Sequence, residues 1–205
     1  MIGDSLITGF LKERFRSSCP RTLIFVRHGQ ARKNVLKQKK RDRLPQSILD
    51  TLTECGKRQA EITGAWLRSH FHFDVCYSST HNRSRQTIEI MFPDFSHIQD
   101  CRLNEVSGKL ETLSEQVRSD AKKRIESFLC EVLFRHHDHN VVISSHGKII
   151  RWGKNILLGE EDEDPPIKRE NGSVTIFRRE WDVEKGCFLL SLKEEDNIVP
   201  WEGKL

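Results

Sequence analysis

Four basic or imidazole side chains each follow a short apolar run of the kind that predicts a buried strand. They are Arg27, His28, Arg83 and His146. The runs before them read LIFV, DVCYSS and NVVISS. Because ligands bind at the carboxyl ends of the parallel strands in an open sheet, we expect these four side chains to converge at that edge.

The charge of this set indicates the ligand that it would bind. Two guanidinium groups and two imidazoles gathered at one point repel each other unless an anion lies between them. Arginine donates paired hydrogen bonds that match the oxygens of a phosphate group. The set therefore predicts a phosphate-binding pocket.

The elements around these residues favour an α/β fold. Strand-like runs cover residues 22–26, 74–79, 97–101, 140–145, 173–177 and 187–192. Helical runs cover residues 52–70, with Thr53 as a possible N-cap, 82–92, 114–137 and 147–159. Strands that alternate with helices predict a three-layer αβα sandwich with a mostly parallel central sheet. The last two strands alternate more clearly between apolar and polar residues, so we expect them at an edge.

Length and composition bound the class of protein. The chain has 205 residues, 36% of them hydrophobic and 31% charged, which suits one domain with a sizeable core. We expect that domain to span residues 21–205, after an amphipathic N-terminal extension, residues 1–20, that packs as a helix on the outside. Docking of the extension to a partner or to a membrane surface is the alternative.

Cysteine usage and hydropathy favour a cytoplasmic protein. The six cysteines form no CxxC pattern, which is typical of reduced thiols. No run approaches the roughly 20 apolar residues that cross a bilayer, and the N-terminus lacks the order of a secretory signal. The histidine-rich stretches HFHF and RHHDHN lack the spacing of a catalytic zinc motif, so we expect no metal.

Net charge favours anionic partners in general. The formal net charge is +4 and the isoelectric point is about 8.8, which falls short of a dedicated nucleic-acid-binding protein. Seven basic residues lie between Arg32 and Arg43, and an acidic run covers residues 160–164. We interpret both runs as solvated loops. Attraction of a polyanionic substrate by the basic run is the alternative.

Four motifs follow one another between residues 22 and 177. They are RHGQARKN, LTECGKRQA, SSTHNRSRQT and ISSHGKIIR, and the first of them contains Asn34. Together they resemble the signature stretches of the histidine phosphatase (phosphoglycerate mutase-like) superfamily, and the resemblance implies that superfamily's fold. The sequence departs from the pattern at Thr80 and His81, where proline and leucine are usual, and at Ser84, where alanine is usual.

The resemblance also implies roles for the residues of the phosphate pocket. His28 would accept the phosphoryl group, while the phosphate oxygens and the substrate would be held by Arg27, Asn34, Arg83, His146 and Gly147. This set suits phosphoryl transfer, because the transition state spreads negative charge over three oxygens that fixed positive donors stabilise. Because the arginines supply that charge, the resemblance implies no metal and no cofactor.

A carboxylic acid must protonate the departing alkoxide and later accept a proton from the attacking water. Glu105, in LNEVSG, matches the superfamily's proton donor. The loop from Glu105 to Gly108 is one residue shorter than usual, so Glu111 is the alternative donor.

Three functions fit these residues. Hydrolysis of a phosphorylated small molecule or phosphoprotein is favoured, because the stretch between Glu105 and His146 leaves room for one long helix and little lid. Phosphoglycerate mutase-type transfer is the second. It is less favoured, because a mutase must shield its phosphohistidine from water and the chain has little room for a lid. A catalytically weak module that only binds phosphate is the third.

Overall fold

The computed structural model describes residues 19–160, 169–182, 184, 187–192 and 196–205. The N-terminal extension expected at residues 1–20 lies outside the described residues, apart from Cys19 and Pro20. The acidic run lies outside them too, apart from Glu160.

The central sheet has the predicted, mostly parallel character. Its strands are β1 (Thr22–Arg27), β2 (Val75–Ser78), β3 (Ile98–Gln99), β4 (Asn140–Ser145), β5 (Val174–Asp182) and β6 (Cys187–Ser191). They lie in the order β3-β2-β4-β1-β5-β6. The first four in this order run parallel, and β5 and β6 add antiparallel pairs at one edge, as the sequence predicts.

The four long helices of the sequence analysis all form. The helices are α1 (Arg32–Val35), α2 (Gln38–Arg41), α3 (Gln46–Leu49), α4 (Glu54–His70), α5 (Asn82–Met91), α6 (Glu115–Arg135) and α7 (Gly147–Leu158), with 3₁₀ turns at Cys101–Leu103 and Leu110–Thr112. Thr53 caps α4 as predicted, because its hydroxyl accepts a hydrogen bond from Gly56 N at 3.0 Å. None of the described helices has the length and apolar character that crossing a membrane requires.

Two hydrophobic cores lie on opposite faces of the sheet, which confirms the three-layer arrangement. Successive side chains of a strand point to opposite faces, so β1 contributes alternately to the two cores. On one face Leu23 and Phe25 pack with α6 and α7. On the other face Ile24 and Val26 pack with α4 and α5. The helices on both sides cover the parallel strands and leave their carboxyl ends open for a site.

Two glycines bring the loop after β1 close to the start of α4. A Cβ atom at Gly56 would overlap the carbonyl of Gln30, and a Cβ atom at Gly29 would overlap the carbonyl of Gly56. Gln59 Oε1 also accepts a hydrogen bond from Gln30 N at 2.8 Å. The loop that carries His28 is thus held against the first turn of α4.

Candidate active site

Strand register places three of the predicted site residues side by side. Arg27 lies opposite Ser145 in the parallel β1–β4 pair, so the residues that follow, His28 and His146, leave the sheet together. The amide of His28 continues the ladder with a 3.0 Å hydrogen bond to Ser145 O. The two imidazole centroids are 5.1 Å apart.

Arg83 lies at the centre of this group and is fully buried. Its Nε donates to His28 Nε2 at 3.0 Å, and its Nη2 donates to the Nδ1 atoms of His146 and His81, each at 3.0 Å. Its Nη1 pairs with the carboxylate of Asp50. One guanidinium group therefore contacts three imidazoles and one carboxylate.

Asp50 is the buried counterion of Arg83, and the sequence analysis missed it. Its side chain is 10% exposed and also accepts a hydrogen bond from Asn82 N at 2.7 Å. A buried guanidinium group is costly unless it is paired, so a buried Arg83 demands such a carboxylate. That demand is the only signal in the sequence, because a lone aspartate in a loop carries no periodicity that identifies it.

The hydrogen bonds of His28 assign its tautomer. Its Nδ1 lies 2.7 Å from Gly29 O, and because a carbonyl only accepts, Nδ1 carries the proton. Nε2 is then unprotonated and presents its lone pair toward Arg83. Burial lowers the pKa of His28 well below its usual value, and the charges of Arg83 and Arg27 lower it further. His28 is consequently a neutral base at neutral pH.

His146 has the opposite tautomer. Its Nδ1 accepts from Arg83, so Nε2 carries the proton and donates to Ser79 Oγ at 2.9 Å. Burial lowers the pKa of His146 well below its usual value, with further contributions from Arg83 and His28. The positive charge of the pocket therefore comes from arginine side chains and the neighbouring lysines, while both imidazoles are neutral.

Arg27 supplies a second guanidinium group. Its Nη1 donates to the carbonyl of Arg169, whereas its buried Nε has no hydrogen-bond partner in the described part of the chain. A Cβ atom at Gly147 would lie 3.8 Å from that Nε, which places Gly147 and the start of α7 beside it. The first turn of a helix has free N–H groups and a positive dipole end, both suited to an anion.

Of the two candidate proton donors, Glu105 lies in the electrostatic surroundings of the pocket. Its charge interacts with those of Arg27 and Arg83, and its side chain is 19% exposed. Its Oε1 is 3.5 Å from Lys148 Nζ. Glu111 lies in the exposed 3₁₀ turn and makes no hydrogen bond or ion pair with any described residue.

Asn104 fixes the loop that carries Glu105. Its Oδ1 accepts hydrogen bonds from Ser79 Oγ at 2.7 Å, from Thr80 N at 3.0 Å and from Thr80 Oγ1 at 2.9 Å. Arg124 Nη2 donates to Asn104 O at 2.6 Å. Because Ser79 also accepts from His146, the Glu105 loop and the imidazole are joined through a single hydroxyl. Sequence analysis did not identify Ser79 or Asn104.

Asn34 and Lys33 lie in the basic region that follows β1. Asn34 is exposed, and its Oδ1 accepts the amide hydrogen of Ala31 at 2.8 Å. Its contact with the substrate stays a prediction. Lys33 is partly buried between exposed neighbours, although the run was expected to be a solvated loop. Burial and the charge of Arg83 lower the pKa of Lys33 to about 8. Lys33 thus belongs to the surroundings of the pocket.

The histidine-rich stretches lie apart from this group. His136 Nε2 is 2.8 Å from the hydroxyl of Tyr77, and His70 Nδ1 is 2.7 Å from Trp66 O. Among the described residues, no three or more His, Cys, Asp or Glu side chains are grouped so that they could hold a metal ion.

A comparison with protein families decides the membership of this chain. The profile of the histidine phosphatase superfamily, branch 1, matches residues 23–121 and 117–186. The chain belongs to this superfamily. Comparison with proteins of curated function gives no significant match.

Solved structures share the fold at low sequence identity. A mycobacterial glucosyl-3-phosphoglycerate phosphatase superimposes with a TM-score of 0.64 at 21% identity, covering 84% of this chain and 97% of that one. Phosphoserine phosphatase from Entamoeba histolytica superimposes with a TM-score of 0.61 at 20% identity, covering 86% of this chain and 98% of that one. Phosphoglycerate mutase from Bacillus anthracis superimposes with a TM-score of 0.64 at 18% identity, covering 90% of this chain and 96% of that one. The phosphoglycerate mutase-like fold predicted from the sequence is confirmed.

Proposed function

We propose that this member of the histidine phosphatase superfamily is a phosphomonoester hydrolase that forms a phosphohistidine on His28. The observation that carries the proposal is the tautomer of His28. Its Nδ1–H donates to Gly29 O, so the nucleophilic lone pair lies on Nε2, where it accepts a hydrogen bond from Arg83 Nε that must pass to a phosphoryl oxygen before His28 attacks. A nucleophile of this kind needs to be neutral, and the low pKa of His28 keeps it so.

In the first step His28 Nε2 attacks phosphorus while the bond to the ester oxygen breaks. Arg27 and Arg83 stabilise the charge on the phosphoryl oxygens, and His146 contributes a further contact. Glu105 donates its proton to the departing alkoxide, which leaves as an alcohol. The products of the step are the alcohol, a phosphohistidine and an ionised Glu105.

The second step reverses these roles. Glu105 accepts a proton from a water molecule as the water oxygen attacks phosphorus, and the bond to His28 Nε2 breaks. Inorganic phosphate leaves, and His28 and Glu105 return to their starting states. We propose that the reaction needs no metal or cofactor, because two guanidinium groups supply the positive charge that such a transition state requires.

The substrate class that we propose is a phosphorylated small molecule. Two of the fold relatives are described as phosphatases of glucosyl-3-phosphoglycerate and of phosphoserine, and the phosphoserine phosphatase is also described in complex with 3-phosphoglyceric acid. Phosphoprotein hydrolysis and mutase-type transfer are the alternatives, since a phosphoglycerate mutase shares the fold equally well. Hydrolysis is preferred because only nine residues, three of them in a 3₁₀ turn, lie between Glu105 and α6.

The test is phosphate release from p-nitrophenyl phosphate and from a panel of phosphometabolites and phosphopeptides, without added metal. We expect turnover that is abolished by His28→Ala and retained by His72→Ala, a change at a side chain 89% exposed. Acid-labile, base-stable label should be trapped on His28. Transfer between positions of phosphoglycerate that outpaces all hydrolysis would establish a mutase instead. Binding of phosphate without turnover would establish a binding module.

A further inference from the structure

Lys33 is a cation beside the pocket whose ammonium group has no acceptor in the part of the chain that the structure describes. Its side chain is partly buried, whereas its neighbours Arg32 and Asn34 are exposed. Nζ of Lys33 makes no hydrogen bond and no ion pair with any residue that the structure describes. Burying part of a lysine without a partner is unfavourable, so a partner from solution would stabilise it.

The backbone ties Lys33 to the segment that holds the counterion of Arg83. Ala31 forms a bridge with Leu52, and Arg32 N donates to Thr51 O at 2.9 Å. Asp50, which pairs with Arg83, directly precedes Thr51. The charge of Lys33 accordingly interacts with those of Arg83 and Asp50.

Lys33 also interacts with the charges of Glu105 and Lys148. Glu105 is the proposed donor to the leaving alcohol, so the part of the pocket around it receives the leaving group. Lys33 therefore interacts with the Glu105 side of the pocket, where the leaving alcohol would lie, as well as with the two imidazoles.

The other cations on this side already have protein partners. Lys148 Nζ donates to Gly108 O at 3.0 Å and lies 3.5 Å from Glu105. Arg124 donates to the carbonyls of Asn104 and Cys101. In contrast to both, Lys33 Nζ has no hydrogen-bond or ion-pair partner among the described residues, so its donors are available to a ligand.

The charges of the pocket leave room for a second anionic group. Among the described residues, four cations and two carboxylates interact across it: Arg27, Lys33, Arg83 and Lys148, with Asp50 and Glu105. Arg169 and Glu170 beside Arg27 add one charge of each sign. When Glu105 carries the proton that it must deliver, the cations exceed the carboxylates by three. A phosphomonoester dianion neutralises two of these charges, and one remains.

We propose that Lys33 binds a second anionic group on the leaving alcohol, a carboxylate or another phosphate, so that the substrate is a doubly anionic phosphometabolite. This inference rests on the proposed hydrolase function and names its substrate class. A group of this kind would give the ammonium of Lys33 the acceptor that the described residues do not supply.

The test uses substrate pairs in which one member carries a carboxylate and the other carries a hydrogen atom or a neutral hydroxymethyl group in its place. O-phosphoserine is compared with O-phosphoethanolamine, and 3-phosphoglycerate with glycerol 3-phosphate, by kcat/KM for the wild-type protein, Lys33→Met, Lys33→Arg and Lys39→Met. We expect the wild type to prefer the carboxylate member of a pair, and Lys33→Met to lower that preference about tenfold, as suits a lost charged hydrogen bond. Lys33→Arg should retain most of the preference. Lys39, exposed on α2, is the matched control and its variant should retain all of it.

The outcomes separate this inference from the proposed function. If Lys33→Met lowers kcat/KM equally for both members of each pair, or if the wild type has no preference, the inference is wrong and the hydrolase function stands. If the wild type hydrolyses no phosphomonoester in the panel, the hydrolase function fails and the inference fails with it. A preference for acidic phosphopeptides over both O-phosphoserine and 3-phosphoglycerate would also overturn the inference that the substrate is a small doubly anionic molecule.

Discussion

Arg83 Nε donates a 3.0 Å hydrogen bond to Nε2 of His28, the atom that would attack phosphorus. The contact holds the imidazole plane and occupies the Nε2 lone pair, so Arg83 must pass this donor to a phosphoryl oxygen before Nε2 attacks. The same guanidinium group reaches His146 and Asp50, so its orientation is fixed from three sides. One side chain thereby positions the nucleophile and supplies charge to the phosphoryl oxygens. The contribution of Arg83 to activity and its contribution to stability can be separated by changing Arg83 and Asp50 together.

Arg83→Met should lower both activity and stability. Loss of a fixed donor to the transferring group should lower kcat/KM by about 10³-fold. The change also leaves the buried Asp50 carboxylate unpaired, which should lower the free energy of unfolding by about 3–5 kcal/mol. Steady-state kinetics and denaturant unfolding measure the two effects.

The double variant Arg83→Met/Asp50→Asn tests whether the two losses are independent. Removing the unpaired carboxylate should restore most of the stability, while kcat/KM stays low. Recovery of activity together with stability would mean that Arg83 acts only as part of the scaffold.

The two neutral imidazoles predict how stability depends on pH. His28 and His146 stay unprotonated in the folded protein well below the usual histidine pKa of about 6.5, whereas both bind protons in the unfolded chain. The unfolded state therefore gains protons as pH falls below about 6.5, and stability is lost. Each histidine should contribute a slope of about 1.4 kcal/mol per pH unit below that value.

Unfolding by urea between pH 5 and pH 7.5 measures this slope. The variant His146→Gln should lose the slope contributed by one histidine, about 1.4 kcal/mol per pH unit, whereas His72→Gln, at an exposed position, should lose none. A slope unchanged in His146→Gln would mean that His146 is protonated in the folded protein.

Glu105→Gln should slow hydrolysis in a manner that depends on the leaving group. Alkyl phosphates need a proton on the departing oxygen, so kcat should fall by about 10²-fold or more. p-Nitrophenyl phosphate has a good leaving group and should be affected less in the first step. Glu111→Gln is the matched control, because Glu111 is exposed and lies outside the charge network, and should be within about twofold of wild type. The reverse result would make Glu111 the donor.

The sequence predicts those parts of the fold that rest on local patterns. Apolar runs and caps predict the strands and the long helices, and the residues after β1 and β4 follow from the convergence of parallel strands at one edge. β3 is shorter than expected, because Asp100 accepts a hydrogen bond from Arg102 N at 2.8 Å and starts a 3₁₀ turn instead. The segment between Arg32 and Leu49 forms three one-turn helices that carry too few residues for a periodic signal.

Contacts through space account for what the sequence does not reveal. Asp50 and Arg83 are far apart in the chain, and only the folded protein shows that one neutralises the other. Lys33 belongs to a run of like residues, and only its partial burial together with its interaction with the charge of Arg83 separates it from them. Asn34 matches the signature motif, yet its side-chain oxygen bonds to the backbone of Ala31. Motif spacing thus predicts which segments meet, but not the partner that each side chain takes.

Gly56→Ala should impair the nucleophile from a distance, without removing any functional group. The added Cβ would overlap the carbonyl of Gln30, two residues after His28, and backbone on both sides leaves it no room to move. We expect a loss of about 2 kcal/mol or more in the free energy of unfolding, together with a lower kcat because the His28 loop must shift. In the control, Gly153→Ala, the added Cβ meets the ring of Phe25 at 3.3 Å, and better helix propensity of about 1 kcal/mol offsets the contact. Calorimetry and kinetics on both variants measure the effect, and a Gly56→Ala protein with wild-type kcat would show that the loop tolerates displacement.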